Sequence, residues 1–139
     1  MFKILPIVMI FTFLLMNCAL ATTKTTVEWR NEAIALEVKE DWQGVINHAL
    51  DWTKAVPDDD MAWFQLGFGY IQLGRFSQSI FAYQRALKIN PHLAEAWHGL
   101  GSAYLETEQY LQARDANQKA LEIIPEDVGA WINLGLASK

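Results

Sequence analysis

Residues 62–74 read AWFQLGFGYIQLG, and the three glycines in this apolar stretch, Gly67, Gly69 and Gly74, decide what kind of protein the chain is. A dinucleotide-binding loop needs G-x-G-x-x-G after a strand. Counted from Gly67 the last position is Gln72, and no β-rich run precedes it. A membrane span needs about 20 apolar residues, whereas this run holds Gln65 and Gln72 and ends at Arg75. What remains is a helix that keeps glycine for a packing reason.

Internal repetition explains the glycines. Trp63, Trp97 and Trp131 are spaced 34 residues apart, as are Leu66, Leu100 and Leu134, Gly67, Gly101 and Gly135, and Pro57, Pro91 and Pro125. Tyr70 pairs with Tyr104, and Ala86 with Ala120, at the same step. Within one period Trp63, Leu66, Gly67, Tyr70 and Leu73 fall on one helical face, and Phe76, Ile80, Tyr83 and Leu87 form a second stripe after the break at Gly74. Such a pattern predicts an antiparallel helix pair. Asp58, Asp59 and Asp60 precede Trp63, where a capping oxygen and negative charge favour the exposed amides of a first turn. The expected helices run 27–38, 41–55, 59–73, 76–89, 93–106, 110–122 and 127–137.

The motif W-x2-L-G-x2-Y, followed by an alanine and then a proline, resembles the tetratricopeptide repeat. The resemblance covers residues 22–139: a weak repeat at about 26–58, strong repeats at 60–93 and 94–127, and a half repeat or capping helix at 128–139. It implies an all-α, right-handed superhelical solenoid of antiparallel helix pairs. In the weak unit Trp29, Trp42 and Pro57 hold the register, Glu32, Ala33 and Leu36 replace the signature, and Trp52 stands where Ala86 is expected. The resemblance also sets the signature glycine opposite a small residue of the second helix, here Ser79 or Ala113. Glycine in a helix costs about 1 kcal/mol against alanine, so Gly67 and Gly101 should mark close crossings. Gly69, if off that crossing, should tolerate alanine.

The chain has 139 residues, 52% of them hydrophobic and 19% charged, enough to bury a core. Its net charge of −5, without a Lys/Arg cluster, argues against nucleic acid as partner. The N-terminus stands apart. Lys3, an apolar run over residues 4–16 and Ala19-Leu20-Ala21 have the order of a secretory signal peptide at residues 1–21. Cleavage there removes Lys3 and the single cysteine, Cys18, and takes the charge from −5 to −6. Absence of disulfides is no argument against export. An uncleaved membrane anchor is the alternative, weakened by Pro6, Thr12 and Asn17; a lipoprotein reading of Cys18 is weakened by Asn17 beside it. The expectation is an exported bacterial-type protein, periplasmic or secreted, or else anchored and facing the periplasm.

Little in the sequence points to catalysis. His48, His92 and His98 form no metal pair on one helical turn, and no H-E-x-x-H occurs. Gly99-Leu100-Gly101-Ser102 lacks both G-x-S-x-G and a strand to aim the serine, so no enzyme, metal or cofactor is expected. A small hydrolase or metal-binding protein is the alternative from another class.

A second stripe is more informative: Phe64, Phe68 and Ile71 lie at i, i+4 and i+7, leaving that helix apolar on nearly all sides. The same register gives His98, Ser102 and Leu105, then Ile132 and Leu136. The resemblance implies that these positions line a concave groove that takes peptides. The other reading is that the preceding helix, Val27 to Val38, packs over Phe64 and Phe68. Lysine, asparagine and arginine, which clamp a peptide carboxylate in some family members, are missing at these positions, so apolar anchors should dominate. Ile132 and Leu136 also suit self-association. The expected role is a protein-binding or assembly scaffold with a protein or peptide partner. Intact mass of the protein recovered from its own cells is expected to give a chain starting at Thr22; a full-length chain in the membrane fraction would establish the anchor.

Overall fold

A computed structural model describes residues 23–138; the expectations for residues 1–21, including cleavage after Ala21, lie outside the described residues. Among the described residues there are seven helices and no strand: α1 Thr26–Val38, α2 Trp42–Ala55, α3 Asp60–Gln72, α4 Phe76–Ile89, α5 Ala94–Glu106, α6 Tyr110–Ile123 and α7 Val128–Ala137. Each expected helix is within one residue of these bounds. Most of the difference is capping: Asp41, Asp59, Leu93 and Asp127, expected as first residues, are N-caps, and Leu73 is a C-cap. The architecture is an all-α solenoid of antiparallel pairs, about three repeats with a final helix.

The chain divides into two units, the first reaching Asn31 and the second starting at Glu32. In the first, Thr25 and Glu28 form a reciprocal capping box that opens α1. The Thr25 amide donates to Glu28 Oε2 at 2.7 Å and the Glu28 amide to Thr25 Oγ1 at 3.3 Å. Lys24 Nζ sits 4.3 Å from the Trp29 ring centre.

In the second unit successive helices from α2 to α7 pack on one another, and α5 also meets α3 and α7. Two kinds of turn recur at the period of the sequence. Between the helices of a pair, Glu40, Gly74 and Glu108 take left-handed backbone, with φ of 53°, 69° and 59°. The next amide reaches back to the same carbonyl in each turn: Asp41 to Leu36 (3.0 Å), Arg75 to Tyr70 (2.9 Å) and Gln109 to Tyr104 (2.8 Å). This is the Schellman arrangement that satisfies the carbonyls of a helix end. Between pairs, the indole Nε1 of Trp63, Trp97 and Trp131 donates to the carbonyl of Pro57, Pro91 and Pro125 at 2.9, 2.8 and 2.8 Å. The recurring Trp and Pro are therefore two ends of one bond that fastens each turn to the helix it introduces.

Tyr83 on α4 is the central side chain of the packing. It is 1% exposed, and its ring lies between two glycines on neighbouring helices. A Cβ at Gly67 of α3 would come within 2.8 Å of ring atom Cδ1, and one at Gly99 of α5 within 2.4 Å of Cζ. Burial pushes the phenol well above its ordinary pKa, against a smaller opposing effect of the hydrogen bond with Ser79. Ser79 does stand opposite Gly67, donating its hydroxyl to the Gly67 carbonyl at 2.9 Å.

At the next step the amide of Asn117 fills the space over Gly101, as the Tyr83 ring does over Gly67. Asn117 Nδ2 donates to the backbone carbonyl of Ala113, one turn back on the same helix, at 2.7 Å. Tyr83 and Asn117 are themselves 34 residues apart.

Gly69 is a correction. It lies at a second crossing, where a Cβ would meet Ile46 Cγ1 of α2 at 2.8 Å, so alanine is not expected to be mild. Gly135 has nothing within 4 Å of its Cβ position. Gly67→Ala, Gly69→Ala and Gly99→Ala are each expected to lower stability by about 1–3 kcal/mol through overpacking. Gly135→Ala is expected to raise it by up to about 1 kcal/mol through helix propensity. Urea melts of the four variants check the contrast.

Candidate functional site

α3, α5 and α7 each begin after the proline turn and lie side by side, so the second stripe of each helix is brought to one face. On α3 the stripe is aromatic. Phe64 and Phe68 stack with centroids 6.3 Å apart and planes at 13°. Trp42 of α2 meets Phe68 edge-on at 5.6 Å, and Tyr83 tilts against Phe64 at 5.8 Å. Each such contact is worth about 0.5–1.5 kcal/mol beyond area burial, so the wall is rigid. Phe64, Phe68 and Ile71 nonetheless remain half-buried. The partner of Phe68 in this row is thus the start of α2.

Opposite this wall stands α5. A cavity of about 260 Å³ between them is lined by Phe64, Phe68, Ile71, Gln72, Tyr83, Glu95, His98, Gly99 and Ser102. Five of the expected groove residues, Phe64, Phe68, Ile71, His98 and Ser102, come together there. Leu105 is half-buried and outside the lining, and Ile132 and Leu136 stay 59% and 48% exposed on α7.

Polar bonds link α5 to α7. His98 Nδ1 lies 3.0 Å from Asp127 Oδ2, and Asn133 Nδ2 donates to Ser102 Oγ at 2.8 Å. Gly129 leaves room for the His98 ring, 2.3 Å from where a Cβ would stand. Asp127 also caps α7 by accepting from the Ala130 amide at 3.0 Å. Ser102 donates to the backbone carbonyl of His98 at 3.1 Å, so its hydroxyl is not set against the imidazole as a nucleophile would be. Among the described residues no three His, Cys, Asp or Glu side chains gather as metal ligands, and no helix is long and apolar enough to cross a membrane.

A larger cavity of about 740 Å³ lies between α4, α5 and α6. Its floor, Leu87, Leu100 and Ala116, belongs to the core with Tyr83. Its rim carries both charges, with Lys119 and Glu122 paired at 2.8 Å. The smaller cavity, whose apolar wall is still half-open, is the better binding candidate. At this size it suits one large side chain of a partner more than a drug-sized molecule.

Two family profiles match the sequence, one described as TPR repeat over residues 67–108 and one as tetratricopeptide repeat over residues 94–127. Residues 67–127 carry tetratricopeptide repeats. All of the cavity lining except Phe64 falls within these residues. No curated protein matches the sequence.

Solved structures share the tetratricopeptide fold. The first TPR of Spaghetti (RPAP3) bound to the HSP90 peptide SRMEEVD is 16% identical with a TM-score of 0.78, over 81% of this chain and 89% of that one. The TPR2B-domain:pHsp70 complex of yeast Sti1 is 19% identical with a TM-score of 0.74, over 80% and 94%. MamA 41-end from Desulfovibrio magneticus RS-1 is 22% identical with a TM-score of 0.72, over 78% and 62%.

Gln72, Tyr83, Glu95 and Gly99 were not expected at the site. Glu95 had a usable signal, since it sits three residues before His98 on the same helix and so shares its face. Tyr83 had none, because it reaches the cavity from α4 only through the gap that Gly67 and Gly99 leave.

Proposed function

We propose that this chain is a protein-interaction scaffold without catalytic activity. It holds a peptide segment of its partner by seating one apolar side chain between α3 and α5. The observation carrying this reading is the preformed row of Phe64 and Phe68 rings, half-open beside Ile71 in a cavity of about 260 Å³. A rigid aromatic wall loses little conformational entropy on binding, which favours affinity. Structural neighbours support the reading: one carries an HSP90 peptide and another is a pHsp70 complex. Resting on the sequence alone, we further propose that the protein acts after export, outside the cytoplasm or anchored at the membrane.

A display library panned on the full chain is expected to enrich peptides with a large apolar residue. Phe68→Ala should weaken these by about tenfold or more, as expected for a central anchor site. Peptides that bind Phe68→Ala as tightly as the parent would show that the site is elsewhere.

A second reading, self-association through α7, has its own support in the exposure of Trp131, Ile132 and Leu136 and in the unfilled space beside Gly135. Light scattering over a concentration series is expected to show association that Ile132→Glu/Leu136→Glu abolishes. A parent that stays monomeric throughout sinks this reading.

A further inference from the structure

Charge in this fold is sorted by helix. α3, α5 and α7, whose faces make the candidate groove, contain no lysine or arginine. Among the described residues from Glu32 onward, the cations lie on α2 (Lys54), α4 (Arg85, Lys88) and α6 (Arg114, Lys119), or in the turns at Lys39 and Arg75. Arg75 is tied to Gln43 on α2 at 3.2 Å. The groove helices and their caps instead hold Asp59, Asp60, Glu95, Glu106 and Asp127.

These carboxylates are not equivalent. Asp59 caps the Met61 amide, Asp60 accepts from Asn90 at 2.6 Å, and Asp127 is shared between His98 and the Ala130 amide. Glu95 is different. It lines the cavity, is exposed, and pairs with no cation among the described residues. Across from it stand Phe64, Phe68 and Ile71. A carboxylate entering this cavity would meet Glu95 and no lysine or arginine, whereas an ammonium or guanidinium would gain an unpaired counter-charge beside an apolar wall.

Resting on the peptide-binding reading above, we infer that the partner segment is basic: a large apolar side chain against Phe64, Phe68 and Ile71, with a lysine or arginine reaching Glu95. Electrostatics sets the sign of the partner and the aromatic wall sets its anchor. Such division is general at interfaces, where charge tunes selectivity more than affinity.

The test uses the full chain and fluorescence anisotropy with three pools of fluorescein-labelled dodecapeptides. Each has Leu, Phe or Trp at the centre, with flanks drawn from Lys/Arg, from Glu/Asp or from Ser/Gln. The basic pool is expected to bind about fivefold more tightly than the neutral pool at low salt, and the advantage should shrink as salt screens Glu95. Glu95→Lys is expected to remove that advantage, and Phe68→Ala to weaken the basic and neutral pools together.

Neutral or acidic pools binding as well as the basic one would overturn the charge inference and leave peptide binding standing. No binding by any pool would overturn both. Basic peptides indifferent to Glu95→Lys and Phe68→Ala would reveal only attraction to a chain of net charge −5, and would overturn the assigned site.

Discussion

The wedging of the Tyr83 ring between Gly67 and Gly99 is the constraint on which the rest of this fold depends. One side chain from α4 sets how closely α3 and α5 approach, and so joins a helix pair to the next pair. Full burial of such a ring is worth about 1.5–3 kcal/mol, and the cost of two helical glycines, about 1 kcal/mol each, is of similar size. The net energy is small. What the arrangement supplies is position: the Tyr83 ring, met by Gly67 of α3 on one side and Gly99 of α5 on another, sets their approach, and it also lines the cavity between them.

Much of the fold was legible in the sequence because a solenoid repeats one local solution, and each copy confirms the others. Trp, Leu, Gly and Pro at a fixed step set the helices to within a residue, and both kinds of turn recur at that step. What the period did not reveal is where a Cβ would point. Gly69 and Gly99 lie off the repeated register, and only the positions of Ile46 and Tyr83 show why each is glycine. Of the groove residues, the α3 stripe was readable because a helix apolar on a second face needs a partner for it. The α7 pair was not drawn into the same cavity. There α5 and α7 meet through His98, Asp127, Ser102 and Asn133, polar contacts that apolar periodicity does not encode.

The two cavities differ in how far their linings are already committed to packing. The larger one is a crease whose floor is already core, and filling it would add contacts to residues that have them. In the smaller one the aromatic rings are held by one another and by Trp42, yet keep open surface. These rings are in place without a partner, as the docking role proposed for them requires.

The left-handed turns grade the structure along its length. Gly74 adopts its positive φ at no steric cost, while Glu40 and Glu108 hold the same conformation with a Cβ, at roughly 1 kcal/mol each. Strain thus resides in the turns on either side, and the turn between α3 and α4 is relaxed. In a stack coupled through nearest neighbours, opening begins where local stability is least and spreads inward. Phe64 and Phe68 are built on the α3–α4 hairpin, the segment whose amides should exchange with solvent last, whereas Trp42 and the α5 side of the cavity stand next to the strained turns and should open before them.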